Sequence, residues 1–77
     1  MSEIDKLEEG LKAKGLIYER RPLFGGEQII CGEWDAVCHC FSYGYNKGLL
    51  EVMGLQSLCG DCDVRGWLTA EEILTSL

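Results

Sequence analysis

The chain has 77 residues, 47% of them apolar and 26% charged, which suits one folded domain over residues 1–77 and excludes a disordered polar chain. Its net charge of −6 excludes the cationic face that phosphate binding needs, so no direct contact with nucleic acid is expected. No apolar run approaches the roughly 20 residues that cross a bilayer, and Met1–Lys6 lacks the apolar core of a signal peptide. The expectation is therefore no membrane association and a cytoplasmic location.

The amino-terminal segment predicts a helix. Ser2 is placed to cap it, Glu3 and Asp5 sit near the positive end of its dipole, and Ile4, Leu7 and Leu11 share one face. Glu8 and Lys12 have the spacing of an ion pair, Gly15 suits the position just past the helix end, and Gly10 weakens the pattern. Leu16–Arg21 then reads as a strand, with Pro22 arguing for a strand end or a sheet edge. Gly25-Gly26 signals a turn before a strand over Glu27–Cys31, and Gly32-Glu33 closes a hairpin into Trp34–Phe41. That last segment carries apolar groups on both faces, which predicts a central strand covered on each side. Ser42–Gly48 is a turn-rich connection, Leu49–Met53 a short strand, Gln56–Asp63 a polar loop, and Val64–Leu68 an edge strand. Thr69-Ala70-Glu71-Glu72 is a capping box that opens a final helix with Ala70, Ile73, Leu74 and Leu77 on its apolar face. The fold class expected is α+β: a small antiparallel sheet of three to five strands with an N-terminal helix and a short C-terminal helix.

Charge is unevenly placed. Residues 1–21 balance five acids against five bases, whereas residues 22–77 hold eight acids against Lys47 and Arg65 alone. Such a field favours encounter with a basic protein surface; solubility alone is the plainer explanation.

The blocks Trp34–Val37, Ser42–Gly54 (SYGYNKGLLEVMG) and Val64–Ile73 (VRGWLTAEEI) resemble stretches of small proteins of bacteriophages and prophages of Firmicutes. The likeness covers the carboxy-terminal half, and the chain departs from the pattern at Cys40 and at Cys59-Gly60-Asp61-Cys62. It implies a short accessory gene of a mobile element, and such genes often encode proteins that bind and inhibit host machinery, including host defence enzymes. With the acidic charge, the most specific version is a nucleic-acid mimic that blocks a nuclease or a CRISPR effector.

Candidate chemistry is sparse. Cys59-x-x-Cys62 has the spacing of a zinc half-site, and Cys38 with Cys40 would complete four ligands. The alternative is that Cys31, Cys38 and Cys40 are reduced thiols serving as small apolar core groups. A Cys–His pair is harder to assemble, because His39 points away from Cys38 and Cys40 on a strand; Cys59 or Cys62 would have to reach it across the fold, with Asp35 orienting the ring. The leading expectation is thus a non-enzyme without cofactor or metal that binds a protein partner. Its binding residues are assigned as Trp34, Asp35, Tyr43, Tyr45, Glu51 and Trp67, since aromatics near turns supply contact area at low entropic cost. A sheet edge offers a second route, to a partner strand or to a homodimer.

Overall fold

The structure, a computed structural model, describes residues 2–60 and 63–77. Helix α1 (Glu3–Ala13) is followed by strands β1 (Glu19–Leu23), β2 (Gly26–Cys31) and β3 (Trp34–Cys38), then β4 (Leu50–Met53), the one-turn helix α2 (Gln56–Cys59), β5 (Val64–Leu68) and α3 (Ala70–Thr75). The five strands form an antiparallel sheet in the order β1-β2-β3-β4-β5. The fold is α+β with helices at both ends, and β1 and β5 are the edges, as Pro22 and the position of Val64–Leu68 predict.

Local chemistry sets both helix starts. Ser2 accepts from the Asp5 amide at α1, and Thr69 and Glu72 satisfy each other's backbone N–H groups at α3. α1 closes with Gly15 at φ +72°, the Gly15 amide donating to the Lys12 carbonyl and the Leu16 amide to that of Leu11. That closure consumes Leu16, so β1 starts at Glu19 and not at the expected Leu16. The helices are also tied to one another, because the Ala70 amide donates to a Glu3 carboxylate oxygen at 2.8 Å. This backbone donor holds the Glu3 carboxyl below its ordinary range. A Thr69→Ala variant is expected to lose about 1 kcal/mol of stability through the missing cap, measured by urea denaturation.

The helices occupy one face of the sheet. Ile4, Leu7 and Leu11 of α1 and Ala70 and Ile73 of α3 pack on Ile29, Cys31, Trp34, Ala36, Leu50, Val52 and Leu68. A shortest dimension of 18 Å fits two layers, helix on sheet. Gly10, which weakens the helix pattern as sequence, lets the helices close: a Cβ there would fall 2.2 Å from Leu74 Cδ1. Glu8 does not take Lys12 as its partner; it accepts from Tyr18 Oη and Arg20 instead.

Several expected boundaries move. β3 is central but covered by helices on one side only; Ile30, Asp35, Val37, Glu51 and Met53 alternate onto the other face. It also ends at Cys38, because the Ser42 hydroxyl takes the His39 amide, donates to the His39 carbonyl and folds residues 39–42 into a tight turn. Cys40 and Phe41 are thereby carried out to the surface. Within the segment expected as a polar loop, Gln56–Cys59 makes a helical turn, since Leu55 and Leu58 pack against the core and Cys59 is buried in it.

Candidate functional site

On the uncovered side of the sheet, β4 and β5 build an aromatic platform. Leu50 pairs with Leu68 and Val52 with Arg65, so the single residue Glu51 opposes two, Gly66 and Trp67. This is a β-bulge, which bends a strand and re-aims its side chains. Trp67 adopts φ +54°, a conformation that costs an L-residue roughly 1–2 kcal/mol. Its ring stacks on Tyr43, centroids 5.4 Å apart and planes 18° from parallel. Both rings stay more than half exposed, Tyr43 at 57% and Trp67 at 56%.

Two glycines make that approach feasible. A Cβ on Gly66 would stand 2.3 Å from Tyr43 Cβ, and one on Gly44, at φ +98°, would stand 3.1 Å from the Trp67 backbone. The Trp67 amide donates to the Tyr43 carbonyl at 3.4 Å. Glu51 completes the unit, one carboxylate oxygen accepting from the Tyr43 amide at 2.5 Å.

Of the six residues assigned to binding by sequence, Tyr43, Glu51 and Trp67 are brought together. Trp34 is not a surface residue: it is 8% exposed and part of the core, because it starts β3 on the face that α1 and α3 cover. Asp35 lies on the uncovered face, where Gln28 donates to it at 2.9 Å. Tyr45 is exposed in a single 3₁₀ turn, Tyr45–Lys47.

A second aromatic group escapes the sequence reading. Phe24 and Gly25 form the two-residue turn between β1 and β2 with φ of +49° and +75°. Phe24 meets the rings of His39 and Phe41 edge-on at 5.2 and 5.4 Å. The available signal is the position of Phe24 beside Gly25-Gly26, where a large ring in a turn is out of place.

Among the described residues, the thiols lie at separate points. Cys31 donates to the Ile17 carbonyl, Cys40 to that of Phe24, and Cys59 to that of Val52. Cys31 pairs with Trp34 and Cys38 with Glu27, which sets them about 13 Å apart along the strands. Burial pushes the Cys31 and Cys38 thiols above their ordinary pKa, away from the thiolate form. Cys40 is exposed, contrary to its assignment as core filler. Cys62 and Asp61, members of the proposed zinc half-site, lie outside the described residues. Among the described residues, no three His, Cys, Asp or Glu side chains gather in a metal-binding group. His39 is buried with Nδ1 accepting from the Phe41 amide at 3.1 Å. Asp35 stands four strand positions from His39 and accepts from Gln28, so it does not orient the imidazole.

The fold and this surface define a two-layer α+β domain that presents an aromatic pair beside a carboxylate. Comparison of the chain with protein-family models, curated proteins and solved structures found no match. Among the described residues, no helix is long and apolar enough to cross a membrane.

Proposed function

We propose that the chain is a non-enzymatic binding protein that acts by occupying a partner's surface through Tyr43, Glu51 and Trp67. One observation carries this reading: Trp67 is held at a costly backbone angle and still leaves more than half its surface in water. A ring placed only for stability would be buried, and strain that brings only partial burial points to function. The acidic excess of residues 22–77 selects a partner with a basic surface. The resemblance to phage and prophage proteins suggests its biological form, inhibition of a host factor such as a defence nuclease or a CRISPR effector.

The test is capture from a host lysate with two baits, the wild-type chain and a Tyr43→Ala/Trp67→Asn variant. The reading expects a protein retained by the wild type and lost from the variant. Equal retention on both baits, or nothing retained by the wild type, would refute it. Asn tolerates the left-handed backbone region, so the variant is expected to keep its fold.

A further inference from the structure

We infer that the platform takes an arginine side chain of the partner, its guanidinium lying on the exposed Tyr43–Trp67 rings and paired with the Glu51 carboxylate. The inference rests on the binding reading above and names the chemistry of the group bound. Two near-parallel rings with open outer surface form a π-face that attracts a cation, and arginine occupies such faces more often than lysine. The bulge sets Glu51 opposite Gly66-Trp67, on the same side of the sheet as the rings. One of its oxygens holds the Tyr43 amide, whereas the other meets no protein donor among the described residues. A carboxylate has about four acceptor sites, so Glu51 anchors the platform and keeps capacity for a forked donor.

Among the described residues, no Lys or Arg of the chain forms an ion pair with Glu51. Between residues 22 and 77 the cations are Lys47 and Arg65. Arg65 donates to the Leu58 carbonyl of α2, the helix that packs on the opposite face of the sheet. Lys47 is exposed in the 3₁₀ turn. Guanidinium suits the site better than ammonium because it is planar, stacks on aromatic rings and gives up hydration more readily.

The probes are N-acetyl-arginine methylamide and its uncharged citrulline counterpart, titrated into the full chain while NMR follows the two indole N–H resonances. The expected result is a saturable shift at Trp67, none at buried Trp34, and binding about fivefold weaker for citrulline. A Glu51→Gln variant retains an oxygen for the Tyr43 amide while removing the charge, and is expected to weaken the arginine probe by about fivefold. Equal response to both probes, an unchanged Glu51→Gln variant, or no saturable shift at Trp67 would each overturn the assignment. A partner retained through Trp67 without arginine preference would sink this assignment and leave the binding reading standing. Arginine binding at Trp67 with no retained partner would do the reverse.

Discussion

A Gly26→Ala variant is expected to lose about 3 kcal/mol of stability, the upper part of the usual overpacking range. A Cβ at Gly26 would stand 1.9 Å from the Cys38 carbonyl oxygen and 2.7 Å from His39 Cα. Both obstacles are backbone, and no rotamer change relieves them. The residue sits where β2 starts and β3 turns away, so relief requires shifting the Glu27–Cys38 pairing or the His39–Ser42 turn. For a domain of this size the loss corresponds to a fall of about 15 °C in Tm, measured by calorimetry. A fall of less than about 4 °C would show that the two strands separate there at little cost.

Arg20 is the second sensitive point, and its effect carries a pH signature. Its guanidinium joins α1 to the sheet, forming an ion pair with Asp5 at 2.9 Å and donating to Glu8 at 2.8 Å and to Glu27. The side chain is 20% exposed, and the Asp5 and Glu27 carboxylates are more open, so the network is partly screened by water. The Arg20 hydrogen bond chiefly lowers the Glu27 pKa; the Tyr18 hydroxyl, then Arg20, lowers that of Glu8; the Ser2 hydroxyl, then Arg20, lowers that of Asp5. Carboxyls depressed in the folded state contribute stability above their unfolded pKa of about 4, and that contribution is lost as pH falls through the folded values. Replacing Arg20 with Met is expected to cost about 2 kcal/mol at pH 7. The same change leaves three carboxylates facing one another, so the variant is expected to lose less stability than the wild type between pH 6 and pH 3 (about the carboxylate range). Urea titrations at several pH values check this, and parallel curves for the two proteins would contradict it.

What was legible in the sequence was mostly local. The Ser2 and Thr69 caps, the Gly32-Glu33 hairpin and the placement of Pro22 at a strand end or sheet edge each depend on side chains within a few residues, and each stands in the structure. The end of β3 was not legible, because it depends on Ser42 folding back on His39, and apolar residues continue through the turn. Trp34 and Trp67 illustrate the limit for the site. Both are tryptophans in strands near turns, yet one faces α1 and α3 while the other is turned outward by a bulge. That bulge follows from the β4–β5 register, and the close approach of Gly66 to Tyr43 joins segments distant in the chain. Spacing alone does not encode either. Gly10 shows the converse error: judged by helix propensity it is a weakness, and judged by the Leu74 contact it is a packing requirement.

The strained Trp67 bears on both binding and stability. Trp67→Asn removes a stacking contact of about 0.5–1.5 kcal/mol together with the burial of the covered part of the ring. The relieved backbone cost offsets part of this, so a loss of about 1–2 kcal/mol of folding stability is expected alongside the loss of binding. The most direct measurement is the affinity of the retained partner for the wild-type chain and for Trp67→Asn, each confirmed folded. The account predicts at least a tenfold loss of affinity, about 1.4 kcal/mol. An unchanged affinity in the folded variant would contradict it.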